Sequence, residues 1–197
     1  MPDPDGLIVG LLLAAGAGRR FGGGKLLATL PDGRSVAVAA CAALAAGVDQ
    51  VVAVVRPGDA ELHQQLRQAG AFVLECPSAE EGMGASLAFG VSQSPAAGWL
   101  IALADMPFIE TCDVARVADA LRSGAPLAAL GTPQDHAHPV GFSASYSKQL
   151  TQLGGDRGAR ALLIAHQNDV VWLPPARKGS QRDIDTVQDW QSVLRER

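Results

Sequence analysis

Apolar runs and polar intervals divide the 197-residue chain into a regular alternation. Residues 7–13, Leu-Ile-Val-Gly-Leu-Leu-Leu, are almost unbrokenly apolar and rich in branched side chains. Such a run fits a strand buried on both faces of a parallel sheet covered by helices. Further strand-like runs lie at 50–55, 71–75, 99–104, 126–130 and 169–173. Helix patterns cover 35–46, 59–69, a stretch opening near Gly84, 111–123 with Thr111 as its N-cap, and the run 161–165. Gly47, Gly70 and Gly124 stand where three of these helices stop. A last helix opens after Thr186, which is placed as its cap. The opening β-α-β-α-β order predicts a three-layer, Rossmann-like α/β fold, a mostly parallel sheet with helices on both faces. No linker, repeat or low-complexity block divides residues 1–197, so they read as one domain. Residues 134–142, Gln-Asp-His-Ala-His-Pro-Val-Gly-Phe, interrupt the alternation and read as a loop with two exposed histidines.

The first strand empties into a loop holding Gly16, Gly18, Gly22, Gly23 and Gly24, with Arg19, Arg20 and Lys25 interleaved. Glycine lets the backbone approach a ligand, and successive N–H groups with guanidinium and ammonium donors form a cradle for an anion such as polyphosphate. Two common motifs fail on spacing. A Walker A loop requires Gly-Lys-Ser/Thr, but Gly24-Lys25 is followed by Leu26, and Arg19 takes the place of the first glycine. The dinucleotide fingerprint fails because Phe21 occupies its third glycine position and Arg56 replaces the acid after the second strand.

Asp105 follows the apolar run 99–104 directly. Ligands of open α/β sheets bind beyond the carboxyl ends of the strands, so Asp105 belongs to the same rim as the glycine loop. It either caps the next helix or holds a cation, for which Mg²⁺ is the natural choice beside phosphate. Ser86 likewise reads as part of a plain helix start or as a group near ligand oxygens. Arg157 and Arg160 are either solvated surface residues or partners for an acceptor's phosphate or ring oxygens.

Composition narrows the partners. Hydrophobic residues make up 48% of the chain but aromatics only 5%, as expected of alanine-rich helices packed closely on a sheet. The formal net charge of −4 argues against nucleic acid or an anionic membrane as the main partner. Cys41, Cys76 and Cys112 show neither metal spacing nor a disulfide framework, which predicts a reducing, cytoplasmic setting. The acidic N-terminus lacks signal-peptide character, and no apolar stretch reaches transmembrane length.

Several of these stretches resemble one family. Leu13-Ala14-Ala15-Gly16-x-Gly18-x-Arg20-Phe21-Gly22-x-x-Lys25 is similar to the signature loop of the small nucleotidyltransferases, and its wording is most like the molybdenum cofactor cytidylyltransferase branch. Glu81-Gly82-Met83-Gly84-Ala85-Ser86, Ala104-Asp105-Met106-Pro107, His138-Pro139, Gly155-Asp156-Arg157-Gly158-Ala159-Arg160 and Asp183-Ile184-Asp185-Thr186 resemble further family segments, in the expected order. Ala137 stands where the family has glycine, and Val187-Gln188 replace its Pro-Glu.

The resemblance implies transfer of CMP from CTP to a phosphorylated acceptor, molybdopterin, with release of pyrophosphate. It implies Mg²⁺ held by Asp105 and Asp185, with Asp183 as the alternative, and Arg19, Lys25 and Asp105 as catalytic residues. The nucleotide would meet Leu13, Ala14, Ala15, Gly16, Gly18, Arg19, Lys25, Gly82, Met83, Gly84 and Ser86. The acceptor would meet His138, Pro139, Asp156, Arg157 and Arg160, and a molybdenum hydroxylase would receive the product. Rival readings are a guanylyl- or sugar/polyol-phosphate nucleotidyltransferase, a carrier that binds nucleotide or pterin without turnover, and, ranked lowest, a dinucleotide-dependent redox enzyme.

Overall fold

The computed structural model describes residues 6–16, 18, 21–177, 183–184 and 186–195. A seven-stranded sheet runs in the order β3-β2-β1-β4-β6-β5-β7, with β1 Ile8–Leu13, β2 Gln50–Val55, β3 Phe72–Glu75, β4 Gly98–Leu103, β5 Leu127–Gly131, β6 His136–Ser143 and β7 Val170–Leu173. β6 is antiparallel to both its neighbours, β4 and β5, and all other pairings are parallel.

The period-two alternation of each strand sends side chains to two separate cores. On one face Ile8, Leu12, Ala53 and Leu100 pack against Cys41 and Leu44 of α1 (Val36–Ala45), Leu62 and Leu66 of α2 (Ala60–Gln68) and Val114 and Val117 of α4 (Thr111–Arg122). On the other, Val9, Leu11, Val54, Ile101 and Phe142 meet Leu87 and Val91 of α3 (Met83–Gln93), Leu150 of α5 (Ser147–Thr151) and Leu163 of α6 (Arg160–Ala165). β1 is buried at all six positions, as its apolar run requires. The fold is therefore the expected three-layer, mostly parallel α/β arrangement.

Predicted strand ends agree to within one residue for the six strands foreseen. The reading of 134–142 as a loop is corrected, since most of it forms β6. Pro139 cannot donate to a ladder, and strands tolerate proline only at edges or bulges. Here the pairing steps from Ala129↔Val140 to Leu130↔Ala137, so that His138 and Pro139 drop out of the β5 ladder. His138 is accordingly half-buried, not exposed, and its Nδ1 donates to the Ile101 carbonyl of β4 at 3.0 Å. Glu110, not Thr111, precedes the first turn of α4. The short helix α5 had no predicted counterpart.

α7 (Val187–Arg195) closes the described chain. Thr186 and Asp189 form a reciprocal cap: the Thr186 N–H and hydroxyl donate to Asp189 Oδ2 at 2.7 and 2.8 Å, and the Asp189 N–H donates back to Thr186 Oγ1 at 3.2 Å.

Candidate active site

Strand order fixes where a ligand can bind. The chain leaves β1 for β2 and β3 on one side, then returns to lay β4 on the other. Loops beyond the carboxyl ends of β1 and β4 therefore diverge and leave a crevice between them. The glycine loop follows β1, and Asp105 follows β4.

These loops meet. Lys25 Nζ donates to Asp105 Oδ2 at 2.7 Å across a sequence separation of 80. Lys25 opens a short 3-10 turn, Lys25–Leu27, entered through Gly24 in the left-handed conformation (φ 67°). Its side chain is only 9% exposed and that of Asp105 21%, so both charges face a site with little bulk water. Asp105 Oδ1 is buried and lacks a hydrogen-bond partner among the described residues. A buried carboxylate oxygen without a donor is costly, and a cation is the group that would satisfy it. No cluster of three or more His, Cys, Asp or Glu able to hold a metal occurs among the described residues. A hard cation such as Mg²⁺ takes one or two protein carboxylates and fills its shell with phosphate oxygens and water, so Asp105 is a residue that could hold one.

Lys25 and Asp105 line one cavity of about 500 Å³ together with Leu13, Gly16 and Gly18. Ala14 and Ala15, the next residues after β1, are buried; the Ala14 N–H donates to the Val54 carbonyl at 2.9 Å, extending the sheet beneath the cavity floor. Arg19 and Asp185, assigned to phosphate and metal on sequence grounds, lie outside the described residues, as does Arg20. The neighbour of Asp185 is informative: Ile184 is fully buried and its N–H donates to the Asp105 carbonyl at 3.0 Å. Ile184 is thus anchored on the backbone of Asp105 itself.

A smaller cavity of about 240 Å³ lies on the other side of Leu13, which lines both. Its walls include Met83, Leu87, His138, Val140, Gly158 and Arg160, so the structure brings Met83 together with two of the residues assigned to an acceptor. Pro139 is buried beside it in β6, while Asp156 and Arg157 are exposed. Asp156 does not cap α6, whose preceding residue is Ala159 with no side-chain cap. Gly155 and Asp156 instead lie against Gly82: a Cβ there would meet Gly155 C and O at 2.5 Å and Asp156 Oδ1 at 2.6 Å. The Gly84 N–H donates to the Gly155 carbonyl at 2.8 Å. Ser86 is 3% exposed, and both its N–H and its hydroxyl turn back to the Gly82 carbonyl, at 3.3 and 3.4 Å.

Arg56, Pro57, Gly58 and Asp59 after β2, and Pro77, Ala79 and Glu80 after β3, complete the larger cavity and were not singled out for a site. Their position at the carboxyl ends of β2 and of β3 beyond it was the available signal, but it acquires meaning only once the strand order is known.

Comparison with known proteins decides the family. The model of the MobA-like NTP transferase domain matches residues 10–170. The chain belongs to that family. It is therefore a member of a nucleotidyltransferase family, as the motifs implied. It is 33% identical to the purine catabolism protein PucB of Bacillus subtilis (strain 168) over 202 residues, 95% of this chain and 96% of that one. Rv0371c from Mycobacterium tuberculosis H37Rv is similar in structure, with a TM-score of 0.82 at 25% identity over 97% of this chain and 99% of that one. A complex of Rv0371c with manganese gives a TM-score of 0.74 at 23% identity, over 97% and 100% of the two chains. No helix among the described residues is long and apolar enough to cross a membrane.

Proposed function

We propose that this NTP transferase is a divalent-metal-dependent cytidylyltransferase that moves CMP from CTP onto the phosphate of molybdopterin and releases pyrophosphate. The observation that carries the reading is the Lys25–Asp105 contact at 2.7 Å on the larger cavity, with Asp105 Oδ1 left unpartnered. A cavity of 500 Å³ lies within the range of about 300–1,000 Å³ usual for small-molecule sites.

In this reading the backbone of Gly16 and Gly18, with Arg19 and Lys25, receives the triphosphate and holds the departing pyrophosphate. Gly82, Met83, Gly84 and Ser86 build the turn beside the nucleoside. Asp105 and Asp185 would hold Mg²⁺, which when bound supplies charge neutralisation between acceptor and nucleotide phosphates. The manganese complex of a structural neighbour agrees with a divalent cation in this fold. The smaller cavity receives the acceptor, its apolar walls taking a flat ring and Arg160 an anionic or carbonyl oxygen. Leu13, common to both cavities, then marks the join between nucleotide and acceptor.

A phosphate monoester with a second pKa of about 6 is already largely dianionic at neutral pH. Lys25 and the loop amides therefore need only position and neutralise charge, and no general base is required. The CTP and molybdopterin assignments follow from the wording of the Ala-Ala-Gly loop and the order of the motifs.

The test is pyrophosphate release by the purified protein with Mg²⁺, each of the four NTPs in turn, and molybdopterin or a sugar or polyol phosphate. CTP-selective release with molybdopterin is expected. Release with GTP alone overturns the base assignment, and release only with a sugar or polyol phosphate overturns the acceptor. Tight nucleotide binding without release makes the protein a carrier.

A further inference from the structure

One apolar cluster touches both halves of the candidate site, and through Leu26 it also reaches the wall of the larger cavity. Leu30, Val36, Ala39 and Ile184 form its buried centre, and Phe21, Leu26, Phe108 and Trp190 pack around them. Phe21 belongs to the glycine loop, where its N–H donates to the Gly18 carbonyl at 3.0 Å. Leu26 follows Lys25 directly, and Phe108 closes the Asp105-Met106-Pro107 turn. Ile184 and Trp190 come from the far end of the chain. The Ile184 N–H donates to the Asp105 carbonyl at 3.0 Å. The Trp190 ring meets Phe21 edge to face, with centroids 6.3 Å apart and planes at 82°. Trp190 follows Asp189, whose reciprocal cap with Thr186 fixes the start of α7 and so the direction from which the indole approaches.

Glycine loops are conformationally free, and Gly18, Gly22, Gly23 and Gly24 all adopt positive φ. The Phe21 and Gly23 N–H groups both donate to the Gly18 carbonyl, at 3.0 and 3.3 Å, which ties the loop to itself but does not set where it lies against the Asp105 turn. Phe21 is the aromatic residue within the loop, and its ring meets that of Trp190. The two catalytic candidates sit on separate loops, so their relative position depends on whatever grips both.

We infer that Ile184 and Trp190 form a clamp that sets Phe21 of the glycine loop against the Asp105 turn, with Trp190 as a positioning residue acting through Phe21. This rests on the phosphate-binding reading of the glycine loop. Trp190 touches no substrate; it selects the loop conformation that receives phosphate, and without it nucleotide binding bears the cost of ordering the loop.

The experiment compares the full-length parent, Trp190→Ala and Trp190→Phe. Pyrophosphate-release kinetics with CTP, Mg²⁺ and molybdopterin are read beside hydrogen exchange of peptides covering residues 14–25 and of sheet peptides covering 98–103. For Trp190→Ala, kcat/KM falls on the order of 10²-fold, mainly through KM for the nucleotide. Exchange accelerates in 14–25 and not in 98–103, and saturating CTP with Mg²⁺ restores protection. Trp190→Phe recovers most of the loss, because a ring is again available to Phe21. Unchanged loop exchange in Trp190→Ala overturns the clamp, as does acceleration spread equally over the sheet, which would make the residue merely structural. Failure of Trp190→Phe to recover protection overturns the role of the ring. If the parent releases no pyrophosphate, the transfer reading falls while the exchange comparison still decides the clamp.

Discussion

A lysine ammonium at 9% exposure requires a nearby negative charge, because desolvation of an unpaired cation is costly, and Asp105 supplies one at 2.7 Å. The same carboxylate has a second oxygen with no donor among the described residues. One side chain thus holds Lys25 through one oxygen and leaves the other for the metal proposed above, and substitutions on either side of the pair should differ in effect. Asp105→Asn keeps the shape and still folds, but it removes the charge: kcat/KM for Mg²⁺-dependent pyrophosphate release should fall by about 10²–10³, the size of effect seen when one preorganised electrostatic contact is lost. Turnover equal to the parent would take Asp105 out of the metal site. Lys25→Ala should raise KM for the nucleotide and lower kcat. The double variant should lose less than the two single losses combined, because both residues act on one charge distribution. Strict additivity in that cycle would mean that the contact is structural only.

Elements place these residues through close backbone contacts as much as through side chains. Gly82 has φ of +122° and ψ of −178°, a region open essentially to glycine alone, and a Cβ there would collide with Gly155 backbone atoms at 2.5 Å. Gly70, also at positive φ (+92°), would present its Cβ to open space. Gly70→Ala should therefore cost only the conformational term, about 1 kcal/mol, while Gly82→Ala should cost more, about 2–3 kcal/mol in denaturant unfolding, because the start of α3 must also separate from residues 154–157. Equal losses would show that the contact with Gly155 is easily relaxed. Nothing in the sequence announced this contact. Both segments were recognisable as motifs, yet the pairing of Gly82 with Gly155 is a tertiary fact with no local signature. Runs such as 7–13 and 51–55 were legible because burial on both faces leaves no polar residue to confuse the period. β6 was not legible, because His138 and Pro139 sit in a bulge and break the very alternation by which strands are read. The rim positions of Lys25 and Asp105 could be foreseen from the rule about strand ends. The walls contributed by Arg56, Pro77 and Glu80 could not, since they depend on β2 lying beside β1 and β3 beside β2.

At the scale of the molecule, the two cores on either side of the sheet are made largely of small and branched side chains, with few titratable groups between them. Cys41 is an exception: it lies fully buried on α1 against β1, and burial pushes its thiol above the usual cysteine range. The sign of the consequence follows from linkage. A group whose pKa is raised on folding binds its proton more tightly in the native state, so its contribution to stability is complete below the unfolded pKa. That contribution is lost as pH rises toward the folded value. With an unfolded thiol near about 8.5, the thermal midpoint should begin to fall above that pH as the unfolded state gains thiolate. Tyr146, raised chiefly by burial and further by the charge of Asp169, should add a second fall beginning near about 10. Cys41→Ala removes the first fall and leaves the second. The variant has a lower midpoint at pH 7, because a buried sulfur is lost, but a flatter profile between about pH 8.5 and 10. Differential scanning calorimetry of both proteins across that range decides the matter. Parallel profiles would mean that the α1 face of the core admits water or hydroxide before it unfolds, and that alkaline loss of stability begins elsewhere.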